Sequence, residues 1–86
     1  MPVLAIFYGI VITIYWFDHA PPHVHARYGE FEAVIDINDV RIIEGSLPPR
    51  ARRMVLRWTR EHQQELAAAW LAASTGIMPA RIAPLR

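Results

Sequence analysis

Residues 18–28 read Asp-His-Ala-Pro-Pro-His-Val-His-Ala-Arg-Tyr. Two adjacent prolines cannot donate to a hydrogen-bonded ladder and hold the chain extended, so Pro21 and Pro22 end whatever precedes them. Beyond them the chain alternates. Over an expected strand at 23–28, Val24, Ala26 and Tyr28 fall on one face, and His23, His25 and Arg27 on the other. Gly29-Glu30 is a tight turn. Phe31, Ala33, Ile35 and Ile37 then line one face of a strand expected over 31–37, opposite Glu32, Val34 and Asp36. Asn38-Asp39 signals another turn. A short strand over 40–44 follows and stops at Gly45.

Upstream of the prolines, Pro2 to Phe17 carries no charge. A signal peptide needs a basic start and a small-residue cleavage site, and neither is present. A membrane helix needs about 20 apolar residues. This run is shorter, carries Gly9 and Thr13, and is dense in β-branched residues. Ile10 to Ile14 read as a strand buried on both faces, which places a single strand over 8–17 and no membrane span.

Downstream, Ser46-Leu47-Pro48-Pro49 sets a capping hydroxyl and prolines at a helix start. No proline or glycine interrupts from there to Ser74, so one long helix is expected over 49–74. Ala51, Val55, Trp58, His62, Leu66, Ala69 and Ala73 form its apolar stripe. Gly76 follows as a stop signal. Pro79 and Pro84 make the tail over 77–86 irregular. The expected architecture is therefore α+β. It is one domain over 1–86, a four-stranded antiparallel meander (8–17, 23–28, 31–37, 40–44) with the long C-terminal helix packed on one face.

Composition bounds the function. The chain has 86 residues, 53% of them apolar, with a formal net charge of +1. That is too apolar for disorder and slightly rich for so small a monomer, which suggests a homodimer or a partner surface. No cysteine is present, which excludes disulfides, thiol nucleophiles and sulfur-ligated zinc and suits the cytoplasm. All nine cations are arginine. Arg50, Arg53, Arg57 and Arg60 follow a three, four, three spacing that aligns them on one helix stripe. Such a stripe is either a solvated face or a docking surface for RNA backbone or an acidic partner.

The chemistry concentrates in Asp18, His19, His23 and His25. His23 and His25 lie two apart on a strand, about 6–7 Å between Cα atoms, so both imidazoles face the same way. Three readings compete. His19, His23 and His25 with Asp18 supply nitrogen and oxygen ligands suited to zinc, iron or nickel, although Arg27 in the same row opposes a cation. Alternatively, His23 and His25 act as acid and base on a phosphodiester, with Arg27 stabilising charge on the phosphate. That reading needs no metal or other cofactor. The third reading is structural: histidines bonded to main-chain carbonyls close the Pro-Pro loop, and Asp18 fixes a tautomer. His62, within the apolar stripe, reads as a core histidine that Glu61 or Glu65 can reach.

Pro2-Val3, Gly9-Ile10-Val11-Ile12, the string Asp18-His19-x-Pro21-Pro22-His23-x-His25, Tyr28-Gly29-Glu30, Gly45-x-Leu47-Pro48, Trp58, Glu65-Leu66 and Ile82-x-Pro84-Leu85 together resemble the bacterial family called domain of unknown function 4160. Many members carry an aromatic where this chain has Val24. The resemblance implies a small bacterial protein, often encoded beside a second small protein of the domain of unknown function 2442 type. Paired small genes of this kind look like toxin–antitoxin modules. The resulting expectation is one component of such a pair, more readily the toxin, acting on RNA without metal. The alternatives are a non-catalytic protein-binding module and a metal-binding protein.

Overall fold

The alternation on either side of the prolines becomes an antiparallel meander in the computed structural model, which describes residues 1–86. Five strands, β1 (Val3–Phe7), β2 (Ile10–Thr13), β3 (His23–Tyr28), β4 (Phe31–Asp36) and β5 (Arg41–Gly45), pair in chain order. Two helices follow, α1 (Pro49–Glu61) and α2 (Gln63–Ser74). The α+β class and the antiparallel pairing agree with the sequence. The count of four strands and one long helix does not.

The first correction lies in the apolar run. The single strand expected over 8–17 is instead a hairpin, with Phe7 paired to Ile10 and Val3 to Thr13. Tyr8 and Gly9 form its tip with φ of 49° and 80°. Positive φ at both positions is the signature of the two-residue turn whose twist matches the flanking strands. Residues 14–17 leave the sheet. There the Ile14 N–H donates to the Pro2 carbonyl (3.0 Å) and the Phe17 N–H to the Ala73 carbonyl (3.2 Å). The last strand begins one residue later than expected, because Val40 takes a positive φ of 53°. Before it, Asp36 closes the turn by accepting the N–H groups of Asn38 (2.9 Å) and Asp39 (2.8 Å).

The second correction is at His62, which interrupts the helix between α1 and α2. Neither proline nor glycine is involved. Buried Thr59 returns its hydroxyl to the Val55 carbonyl at 2.8 Å, a back-bond that disturbs and bends helices. After the break, Gln63 donates to the carbonyls of Ile37 (2.9 Å) and Asn38 (3.2 Å) and ties α2 to the β4–β5 turn.

The core lies between one sheet face and the helices. Leu4, Ile10, Ile12, Val24, Ala26, Ala33 and Ile35 meet Ala51, Val55, Trp58, Leu66, Ala69 and Ala73, all essentially buried. The helix positions are the stripe read from spacing, save His62, which is only partly buried. The tail has neither helix nor strand, yet it is fixed. Trp58 Nε1 donates to the Ala83 carbonyl (2.8 Å), the Ile82 N–H donates to Leu4 (2.9 Å), and Ile82 and Leu85 are buried. The opposite sheet face, with Val11, Thr13, His25, Arg27, Glu32, Val34 and Glu44, carries no helix. No helix of the chain is long and apolar enough to cross a membrane.

Candidate metal centre

Strand geometry sets the first two groups. In β3, His25 pairs with Thr13 on one side and Val34 on the other, and His23 pairs with Asp36. Both rings project from the face away from the core, as their two-residue spacing requires. Their centroids lie 5.3 Å apart, edge to face. The Pro21-Pro22 loop folds Asp18 back over them. Asp18 Oδ2 lies 2.9 Å from His23 Nε2 and 3.9 Å from His25 Nε2. Its other oxygen accepts the His19 backbone N–H (2.8 Å) and faces His19 Nδ1 (3.0 Å). His19 itself is almost fully exposed. One ligand atom each from Asp18, His23 and His25 falls within 4.8 Å of the others.

Proton placement sharpens this geometry. His23 Nδ1 lies 2.6 Å from the Pro21 carbonyl, which can only accept, so Nδ1 carries a hydrogen. In the neutral ring, Nε2 then presents its lone pair to Asp18 Oδ2 at 2.9 Å. Two electron-rich atoms at that separation require a positive species between them, either a proton or a metal ion. His25 Nε2 points to the same oxygen, is buried, and has no hydrogen-bond partner. An unsatisfied buried polar atom carries a desolvation cost of about 1–3 kcal/mol.

The surroundings hold His25 neutral. Burial depresses its pKa below the ordinary 6.5 and the neighbouring His23 adds to this, against the opposing pull of Asp18, Glu32 and Glu44. For Asp18, burial acts to raise the pKa, but the His19 N–H, the His23 ring and the charges of His23 and His19 outweigh it and bring the carboxyl below 3.8. A carboxylate and a neutral imidazole are the forms that bind metals.

Two aromatic walls fix the rings. Tyr15 stacks on His25 with centroids 4.0 Å apart and planes 10° apart, and Trp70 of α2 lies 5.1 Å from His23. No motif in the chain assigns a role to Tyr15. The signal available was its two-residue spacing from Thr13, the residue that pairs with His25. Glu32 and Glu44 join Tyr15 and His25 around a cavity of about 300 Å³ on the open sheet face.

The other candidate residues lie apart. Arg27 is exposed, continues the row opposite Glu32, and shares with His25 a separate cavity of about 180 Å³. Neither Arg27 nor the helix arginines reach Asp18. Arg50, Arg53 and Arg57 line one cavity of about 500 Å³ that includes none of Asp18, His23 and His25, and Arg60 does not line it. His62 Nδ1 meets Glu65 Oε1 at 2.6 Å, and Glu61 instead pairs with Arg57 at 3.1 Å.

A family model described as Domain of unknown function (DUF4160) matches residues 9–71. The matched segment contains Asp18, His23 and His25, and it ends before the C-terminal tail. No curated protein and no solved structure matches the chain.

Proposed function

The chain belongs to the DUF4160 family, and from the geometry of its histidine centre we propose that it binds one divalent transition-metal ion through Asp18 Oδ2, His23 Nε2 and His25 Nε2. The observation that carries this reading is the pair of imidazole nitrogens turned toward one carboxylate oxygen. The Nδ1 hydrogen of His23 is taken by the Pro21 carbonyl, which leaves Nε2 to face the carboxylate, and His25 Nε2 is buried without any partner. Ligand bonds of about 2.0–2.2 Å to nitrogen and oxygen put neighbouring ligand atoms roughly 3–3.5 Å apart. The two separations from Asp18 Oδ2, 2.9 and 3.9 Å, bracket that spacing. A ligating histidine characteristically donates its other ring N–H to a carbonyl or carboxylate, as His23 does to Pro21. A set of two histidines and one carboxylate suits zinc or iron and leaves coordination positions for water or substrate.

The same geometry weighs against the metal-free acid–base pair. His23 has both ring nitrogens engaged and His25 Nε2 is closed off from solvent, so none of these three nitrogens is free to exchange a proton with a phosphodiester in this arrangement.

The test is calorimetric titration of untagged protein with Zn²⁺ and Co²⁺, with Co²⁺ absorption reporting nitrogen and oxygen ligation. One ion per chain is expected. The His25→Ala protein should lose at least about 100-fold in affinity, beyond the 10–100-fold that outer-shell partners contribute. Absence of saturable binding, or equal affinity in the folded His25→Ala protein, would overturn the reading.

Pairing with a domain of unknown function 2442 type protein, as one half of a cytoplasmic toxin–antitoxin-like module, is a second reading of partner and context. A homodimer is its variant. What favours a protein partner is the exposure of Phe17, Leu71, Ile77 and Met78 where α2 ends. Co-expression tests it: growth arrest relieved by the neighbouring gene supports the pairing, and unimpaired growth counts against a toxin.

A further inference from the structure

We infer that the cavity at the start of α1 is a binding site for a nucleoside phosphate, separate from the metal centre. Arg50, Arg53 and Arg57 reach it from α1, and Arg86 reaches it from the tail. Met54 and Leu85 supply an apolar floor, and Tyr8 brings an aromatic ring from the hairpin tip.

Four arginines line one cavity, and their like charges repel each other where no anion joins them. The acidic residues do not supply one. Glu61 pairs with Arg57 at 3.1 Å, but no carboxylate side chain lies within 4 Å of Arg50, Arg53 or Arg86. The first turn of α1 contains no acidic residue, and it carries its arginines where the helix dipole disfavours positive charge. This arrangement is an electrostatic liability in the free protein, and a bound polyanion removes it. Arginine forks match phosphate oxygens in bidentate geometry, so phosphate is the anion they select.

The cavity also selects a body attached to the phosphate. At about 500 Å³ it has several times the space a bare phosphate fills and falls in the range of small-molecule sites. Tyr8 is well exposed, and its backbone is held at φ 49° by the hairpin, so an accessible ring stands on a rigid turn at the rim. Bases stack on such a face regardless of sequence. Guanidinium groups, an apolar floor and an aromatic rim together match the phosphate, sugar and base of a nucleotide. The nucleotide is either free or the terminal unit of an RNA strand.

The test is calorimetric titration of untagged protein, at low salt with chelator present so that no metal contributes. The probes are ATP, inorganic phosphate and a short single-stranded oligoribonucleotide with and without a 5′-phosphate. ATP should bind at least about tenfold more tightly than inorganic phosphate. The Arg50→Gln, Arg53→Gln double variant should lose at least about tenfold in ATP affinity with an unchanged melting temperature, since both side chains are exposed. Tyr8→Ala should weaken ATP and leave inorganic phosphate unaffected. Tighter binding of the 5′-phosphorylated oligonucleotide than of ATP assigns the site to a strand end, and the reverse order assigns it to a free nucleotide. No saturable ATP binding, or ATP binding indifferent to the double variant, overturns the inference. Failure here leaves the metal centre untouched, because His25→Ala and the arginine variants report on different ligands.

Discussion

The histidine centre and the arginine cavity concentrate charge in opposite ways. Asp18, His23 and His25 are drawn from eight consecutive residues, His23 buried and the other two half-buried, and are aimed at one point. There, both ring nitrogens of His23 have protein partners, and His25 Nε2 is the buried polar atom left without one. The arginines come from two separated segments, α1 and the tail, stand in solvent and have no carboxylate side chain beside them, Arg57 excepted. The first region is preorganised for a ligand smaller than itself, and its cost is a single unsatisfied nitrogen. The second is open, and its cost is long-range repulsion that water and salt largely screen. A compact cation suits the one and an extended anion the other.

The strongest break in this comparison comes from the tail. Trp58→Ala removes a fully buried ring and its hydrogen bond to Ala83, and a loss of about 3–5 kcal/mol in denaturant unfolding is expected. Since Ala83 anchors the segment that carries Leu85 and Arg86, nucleotide affinity should fall as well, while zinc stoichiometry in the folded fraction stays at one.

Next in size is Asp18→Asn. The amide keeps an oxygen acceptor but not the charge shared by His23 and His19, so stability of the ion-free protein should drop by about 1–3 kcal/mol. Zinc binding should weaken sharply and ATP binding should not change. Equal loss at both sites would show that the two regions are coupled.

Acid sharpens the contrast with a smaller effect. His25, facing His23, Asp18, Glu32 and Glu44, is held below 6.5 in the folded protein. The unfolded chain therefore takes up its proton first as pH falls. Ion-free stability contributed by His25 is complete above about 6.5 and declines below it, by at most about 1.4 kcal/mol per pH unit for this one group. Asp18, also lowered, adds a second decline below 3.8. Thermal melts between pH 7.5 and 5 check the first step. A flat profile in the wild type, or the same slope in the His25→Ala protein, would contradict it.

The smallest expected change is at the arginines. Arg50→Gln with Arg53→Gln relieves like-charge repulsion and an unfavourable helix-dipole contact, so stability should move by no more than about 0.5 kcal/mol, upward if at all. Chemical denaturation at two salt concentrations measures it. The shift should shrink at high salt.

How far each region was legible follows from the distance over which its parts are linked. The two-residue period of a strand placed His23 and His25 on one face, and the prolines kept Asp18 within reach, but His19, which the sequence also offered as a ligand, stands exposed outside the cluster. Tyr15 stacking on His25 and the engagement of both His23 nitrogens could not be named, because ring orientation depends on a loop path that no periodicity encodes. The hairpin in the apolar run was hidden for a related reason. A buried strand and a buried hairpin have the same composition, and the turn uses Tyr8 at a positive φ that patterns usually assign to asparagine or glycine. The break at His62 follows the back-bonded hydroxyl of Thr59, in a stretch with every local sign of an unbroken helix.

By itself the amino-acid sequence determined the alternating strands, the apolar stripe of the helices, the ligand-bearing faces and the family of the chain. Each of these rests on spacing along a backbone of known period. Only the tertiary structure decided that Arg86 and Tyr8 join Arg50, Arg53 and Arg57, that Arg60 and Arg27 stand elsewhere, and that His25 Nε2 is left without a partner. Those outcomes depend on where distant segments pack against a shared core. Burial of apolar surface drives that packing without direction, and the side chains that meet are set by the geometry it leaves.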